Sequence, residues 1–310
     1  MITSKQVVKF LKIPYNKIIN FNILYPCSFD NLCDLAITFL KSEDVKKLNS
    51  LKSCSSNILV ILPEKLKKYC NDLNQMCLFS KNPRLDFTRI LKKFFVQADE
   101  ITIYNKTVSN TKKIDSTTLI NNKAKIHPSV IIGPYCVIDE CEIGEGSKIH
   151  SSVHIFKNVE IDKNVEIHSN CTIGTHGFGF VKTENGKWDK IPHIGGVKIS
   201  DNVEIFAQTN VDRGTLNNTF IGKGVKIDHK CHIGHNVKIK ENSIITACTI
   251  IGGSTEIGKN VWVGPNSSIM NNIKIGDNVF IGMASNVLKS VEKDVIVAGN
   301  PAKIIKNNKK

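Results

Sequence analysis

Residues 221–257 read IGKGVKIDHKCHIGHNVKIKENSIITACTIIGGSTEI, and an aliphatic residue returns at every sixth position: Ile221, Ile227, Ile233, Ile239, Ile245, Ile251 and Ile257. The series runs on through Val263, Ile269, Ile275, Ile281 and Val287. Upstream, the same step joins Ile199, Ile205 and Val211, and before them Ile143, Ile149, Ile155, Ile161, Ile167 and Ile173. Ile126, Ile132 and Ile138 open it, one residue out of register. A period of six is neither the 3.6 of a helix nor the 2 of a single strand. It fits a coil with three six-residue sides: one aliphatic per side points inward, and residues three steps apart stack on neighbouring rungs about 4.8 Å apart. Gly follows many of the aliphatic positions, among them Gly222, Gly234, Gly252 and Gly264, which suits a chain that turns a tight corner after each short strand. Residues 126–287 are therefore expected to form a parallel β-helix of hexapeptide type.

The composition excludes several classes. The 310-residue chain carries 42 Lys+Arg against 28 Asp+Glu, a net charge of +14, and is 41% apolar, enough to build a core. No uncharged run reaches the roughly 18 to 20 residues that a membrane-spanning helix needs, and no secretory pattern opens the chain, so a cytoplasmic location is expected. The ten cysteines include no CxxC pair and read as small buried hydrophobes. Basic charge is spread evenly: 16 Lys/Arg against 9 Asp/Glu in residues 1–100 and 26 against 19 beyond give +7 each. Without a basic stripe interleaved with aromatics, no nucleic acid is expected as a partner. Phosphorylated small molecules or an acidic carrier protein fit the charge better.

Residues 1–100 lack the repeat and read as an α/β domain. Val7–Leu11, Ala36–Leu40, Asn57–Leu62 and Met76–Phe79 suit strands or apolar helix faces, and Asp86–Phe95 has helical spacing. Residues 101–125 read as a connector and 288–310 as a basic tail. Two interruptions break the repeat: an insertion at Thr175–His193, and a step of ten residues from Val211 to Ile221. A solenoid expels such segments as loops, where binding residues collect.

The ordered motifs GFGF (177–180), KIPHIG (190–195), VDRG (211–214) and CHIGHN (231–236), with ITFLKSEDVKKLNSLKSCSSNILVILPE (37–64) and NPRLDF (82–87), carry a resemblance. Over about residues 30–290 the chain resembles the left-handed β-helix acyltransferases and, among them, the UDP-3-O-(3-hydroxyacyl)glucosamine N-acyltransferases of lipid A synthesis. The resemblance implies an α/β domain over 1–100 of uridine-nucleotide-binding type, a left-handed parallel β-helix over 126–287, and a homotrimer. It also implies no permanently bound cofactor, with acyl-CoA or acyl carrier protein as acyl donor. His235 takes the family's general-base position. An amine must lose a proton as it attacks a thioester carbonyl, and imidazole titrates near neutral pH. Gly253, on the adjacent coil, takes the position whose backbone N–H receives the tetrahedral oxyanion, a contact that lowers the barrier by about 3 to 4 kcal/mol. Phe39, Phe178, Asp212, Arg213 and Asn272 are the expected substrate-binding positions, and Asn300 and Lys303 the donor-binding ones.

The chain departs from that pattern in four places. Asn272 stands where the family has a second active-site His, and His176 where an Asp precedes GFG. Val45 replaces the second of two aromatics that sandwich uracil, Phe39 being the first. The ending AGNPAKIIK (298–306) is similar to that of coenzyme A-dependent sugar acetyltransferases and stands in place of a long C-terminal helix. These features favour transfer of a short acyl group from acyl-CoA to the amino group of a nucleotide-linked amino sugar for surface polysaccharide, with Lys303, Lys306, Lys309 and Lys310 near the coenzyme phosphates. The alternative is 3-hydroxyacyl transfer from acyl carrier protein to UDP-3-O-acylglucosamine. Phe178, Phe180 and Trp188 would line a pocket or anchor the insertion. A metal-dependent hydratase of similar architecture is a further alternative. No metal site is expected, because His229 and His235 fall on different sides of the coil; His150 and His168 should stack as a surface ladder. A non-catalytic scaffold is opposed by the intact His235 and Gly253.

Overall fold

Each six-residue step buries two side chains, the aliphatic of the period and the residue two positions before it, because successive strand residues face opposite ways. Val225 and Ile227, Cys231 and Ile233, and Val237 and Ile239 are such pairs, none more than 2% exposed. Where the first of the pair is polar, its hydroxyl bonds a carbonyl inside the coil: Ser243 Oγ donates to Gly258 O at 2.8 Å and Thr255 Oγ1 to Met270 O at 2.8 Å. The core is thus one continuous aliphatic column, satisfied where polar groups enter it.

The computed structural model describes residues 2–96 and 113–308. Residues 101–112 of the expected connector lie outside the described residues, as do Lys309 and Lys310. The described chain forms two compact units, one of 2–96 with 179–192 and one of 113–178 with 193–308.

The second unit is a parallel β-helix whose strands stack into sheets of nine, eight and ten. Rungs pair in register, Ile233 with Ile251, Ile239 with Ile257 and Ile245 with Val263, so the period does set the stacking. The corners differ from expectation. The left-handed residue at each corner is mostly Asn, as at Asn236 (φ 59°), Asn242 (φ 57°), Asn260 (φ 54°) and Asn278 (φ 58°), the side chain that best tolerates that conformation after Gly. The Gly after the aliphatic serves close packing instead. A Cβ on Gly258 would lie 2.6 Å from the Gly276 carbonyl carbon, and one on Gly264 2.5 Å from Met283 N.

Both ends of the coil extend past the expected limits. Leu119–Ile120 pairs with Val137–Ile138 and Ile114 bridges Ile132, so the first rung lies within the segment read as connector. The six-residue step in fact continues back through Ile120 and Ile114. Beyond Val287, Val295–Ala298 joins Phe280–Ile281 and Lys303–Asn307 closes antiparallel on it, so the basic tail is a hairpin at the end of the ten-stranded sheet.

The first unit holds a four-stranded parallel sheet in the order Tyr25–Pro26, Ala36–Phe39, Ile58–Pro63, Met76–Ser80. Val7–Leu11 belongs to a helix, Ser4–Leu11, capped by Thr3. A later helix, Pro83–Ile90, starts with Pro in its first turn after the Asn82 cap, and continues as a π-turn over Leu91–Phe95. The core of the inserted segment belongs here. Its hairpin, Phe180–Lys182 with Trp188–Lys190, packs Val181 and Ile191 against Leu85 and is tied by Arg89 to Glu184 at 2.7 Å and by Lys92 to Asp189. Among the described residues no helix is long and apolar enough to cross a membrane.

Candidate active site

The site forms where the second unit's two irregular segments return to the coil. Asn210–Asp212, His232–Ile233 and Ile250–Ile251 are successive strands of the nine-stranded sheet, with Asn210 opposite His232 and His232 opposite Ile250. The corners after the last two carry His235 and Gly253, stacked as the period requires. A Cβ on Gly253 would lie 2.7 Å from His235 Nε2 and 2.8 Å from Cε1, so the imidazole lies flat against a position that only Gly leaves open. Among the described residues no hydrogen bond takes the Gly253 N–H, whereas its carbonyl accepts from Asn272 N at 3.0 Å.

Two groups fix the ring. Asn236 Nδ2 lies 2.8 Å from His235 Nδ1, 3.0 Å from Thr215 Oγ1 and 3.4 Å from Ser254 Oγ, while Asn236 Oδ1 accepts from Thr215 N at 2.7 Å. These contacts hold the ring in place. On the other side stands His193, 2% exposed, its ring edge-on to His235 with centroids 4.9 Å apart; His176 lies edge-on to His193 at 6.4 Å. Gly177 makes this meeting possible, since a Cβ there would lie 2.6 Å from His235 Cβ and 2.9 Å from His193 Nε2. In the sequence, His193 and Asn236 show only as the H of KIPHIG and the N of CHIGHN, and nothing in the repeat marks either as a neighbour of His235.

Asp212 is 4% exposed and accepts from Asn210 Nδ2 at 2.8 Å and Thr175 Oγ1 at 3.3 Å, with His232 Nε2 3.7 Å from its other oxygen. Burial pushes its carboxyl above the usual carboxylate range, while the Asn210 bond and the His232 and His235 charges pull it back. Arg213, 3% exposed, donates Nε to Gly174 O at 2.7 Å and Nη2 to Lys157 O at 2.9 Å. Those bonds go to backbone, so Arg213 anchors the turn that presents Asp212.

Of the remaining expected residues, Asn272 reaches Gly253 through backbone. Asn272 has φ 60°, the left-handed corner position, so its side chain is there for the corner and its backbone N–H serves Gly253. Phe178 is 86% exposed. Phe39 belongs to the first unit, tilted on Phe87 with centroids 4.7 Å apart, and Val45 is exposed at the start of helix Val45–Lys52. Asn300 accepts from Asn286 Nδ2 at 3.2 Å, and Lys303 is exposed on the closing strand.

A pH experiment follows from Asp212. A carboxyl whose folded pKa is raised binds its proton more tightly folded than unfolded, so stability falls as pH rises from the unfolded value through the folded one. Asp212→Asn removes that loss. The melting-temperature difference, variant minus wild type, is expected to increase across that window and level off above it, with turnover down about 10²-fold because His235 loses a facing charge. Thermal melts from pH 3 to 8 read the first effect; a pH-independent difference contradicts it.

The chain matches the bacterial transferase hexapeptide (six repeats) family over residues 123–157, 218–253 and 254–288. It is 50% identical over 76 residues to a UDP-3-O-acylglucosamine N-acyltransferase of Coxiella burnetii, covering 24% of this chain and 22% of that protein. A protein of the same name from Dechloromonas aromatica is 53% identical over 77 residues, 25% of this chain and 22% of that protein. The match thus spans about a fifth of the length of these relatives. Among solved structures, a UDP-N-acetylglucosamine O-acyltransferase from Moraxella catarrhalis superposes with TM-score 0.59 and 27% identity, covering 64% of this chain and 75% of that one. An Acinetobacter baumannii LpxA structure gives 0.57 and 31%, covering 63% and 74%. These neighbours are left-handed β-helix proteins, the fold expected from the repeat.

Proposed function

We propose, on the premise that this chain belongs to the bacterial transferase hexapeptide family, that it is an N-acyltransferase acting on the amino group of a UDP-linked amino sugar. The observation that carries this reading is the His235 imidazole laid against Gly253, whose N–H faces no acceptor among the described residues. In the reaction the sugar amine attacks the thioester carbonyl carbon and the C–N bond forms as the amine proton passes to His235. The carbonyl oxygen becomes an oxyanion at the Gly253 N–H. Collapse breaks the C–S bond, and the leaving thiolate takes the proton back from the imidazolium, so the enzyme ends unchanged. Asp212, with charge facing His232 and His235, favours the transient cation.

The relatives' name carries a UDP-3-O-acylglucosamine acceptor, which supports the lipid A-type reading over the short acyl-CoA reading favoured from Asn272, Val45 and the AGNPAK ending. The structure weakens one of those three grounds, since Asn272 occupies a left-handed corner where Asn is favoured for the backbone alone. We therefore take a 3-hydroxyacyl group on acyl carrier protein as donor. Purified enzyme given UDP-3-O-acylglucosamine with 3-hydroxyacyl carrier protein, and in parallel with acetyl-CoA, is expected to yield a product heavier by one 3-hydroxyacyl group in the first case and none in the second. Turnover with acetyl-CoA alone restores the short-acyl reading, and Lys303→Glu then weakens it if the closing hairpin meets the coenzyme.

A further inference from the structure

One corner of the coil, outside the site above, carries a different set of groups. His150 and His168 sit on successive rungs immediately after Lys148–Ile149 and Glu166–Ile167, strands that pair in register. Their rings stack with centroids 4.5 Å apart and planes 7° from parallel, and Phe206 continues the stack on the far side of His168 at 4.5 Å and 9°. Glu166 leans across both, its Oε1 2.7 Å from His150 Nε2 and 3.9 Å from His168 Nε2. One ligand atom from each of the three residues lies within 4.8 Å of the others. This is the one such group of three metal-binding side chains among the described residues.

We propose that His150, Glu166 and His168 bind a divalent transition ion of the zinc class. Two imidazoles and one carboxylate, with the remaining positions open to water, are a donor set that such ions accept. A tetrahedral ion with bonds of about 2.0 to 2.1 Å needs its ligand atoms roughly 3.3 Å apart. Reaching that spacing requires the two rings to turn out of their parallel stack, because an ion lies in the plane of each imidazole that binds it, while the paired strands stay still. Binding replaces the His150–Glu166 hydrogen bond: the ring presents its Nε2 lone pair, keeps its proton on Nδ1, and any proton on an imidazole is released to solvent. Lys148 Nζ, 4.0 Å from Glu166 Oε2, is the opposing charge, and it favours modest over tight affinity. The period alone paired His150 with His168 but could not show that Glu166 leans across both. That carboxylate turns a stacked pair into a chelate.

The test uses untagged, chelator-treated full-length protein titrated with Zn²⁺ by calorimetry, and with Co²⁺ for the visible bands of a low-symmetry nitrogen and oxygen site. One ion per chain is expected, with affinity weakened at least about tenfold by His150→Ala or by Glu166→Gln. His235→Gln leaves it unchanged. His150 and Glu166 are half-buried on the outside of the coil and not in its aliphatic core, so both variants are expected to fold, which circular dichroism checks. No uptake by wild type overturns the proposal, and so does uptake that survives in the His150→Ala/His168→Ala double variant.

Discussion

Replacing His235 by Gln is expected to lower kcat by about 10²- to 10⁴-fold while the KM values for donor and acceptor change little. Gln keeps the size and polarity of the ring and its contacts with Asn236, but it cannot take a proton at neutral pH. The amine then attacks without a base, and the tetrahedral intermediate collapses without an acid for the thiolate. What survives is the part of catalysis due to binding and to the Gly253 N–H, so the variant should remain well above the uncatalysed rate. The size of the fall also separates His235 from its neighbours. His193 is edge-on at 4.9 Å and buried, packed against the His235 ring. A near-wild-type rate in the His235 variant removes that residue from the chemistry.

Gly214→Ala is expected to be the most damaging small substitution in the second unit. A Cβ at Gly214 would lie 1.7 Å from the Asn217 carbonyl oxygen and 3.1 Å from Asn236 Oδ1. The nearer of the two is backbone and has no side chain that can swing aside. Gly214 N donates to Gly196 O at 3.0 Å, and Gly195 N to Gly214 O at 3.1 Å, so the ten-residue step is stitched to the return of the insertion on both sides. One added methyl must move that backbone. With it move Arg213, Asp212 and Thr215, the last of which holds Asn236. A loss of about 3 kcal/mol is in line with severe overpacking, a drop of roughly 6 to 12 °C in melting temperature for a unit of this size. Turnover falls with it, because the misplaced parts orient His235. Gly186→Ala makes the contrast: nothing lies within 4 Å of its Cβ, and only its φ of 74° opposes the change, a cost of about 1 kcal/mol. Equal melting temperatures for the two variants contradict this packing.

The repeat made the coil legible because one geometric rule, three sides of six residues, determines both what is buried and what stacks. That rule was enough to lay His235 over Gly253 without any knowledge of side-chain contacts. It said less about corners. Gly after each aliphatic reads naturally as the turning residue, yet the left-handed conformation falls two residues later, mostly on Asn, and the Gly is needed because the next rung passes within van der Waals distance. It also lost the first rung, where Ile114 and Ile120 keep the step inside a stretch whose Thr, Asn and Lys looked like linker. The insertion was the least legible part. Its length does not say where the chain re-enters, so neither the meeting of His193 with His235 nor the pairing of the hairpin with Leu85 could be read from the period. Arg213 looked like a ligand-binding cation because sequence shows its charge but not the two carbonyls that use it.

The linkage made in the reaction is the most direct measure of the proposed activity, because the solved neighbours include a protein named as an O-acyltransferase while the curated relatives are named N-acyltransferases. The product formed from UDP-3-O-acylglucosamine and 3-hydroxyacyl carrier protein should be held in mild alkali and its mass followed. An amide at the sugar nitrogen survives conditions that strip esters, so the newly added acyl group is expected to stay while the 3-O-acyl chain is lost. Loss of both acyl groups would show that the new bond is an ester, and His235 would then activate a hydroxyl and not an amine.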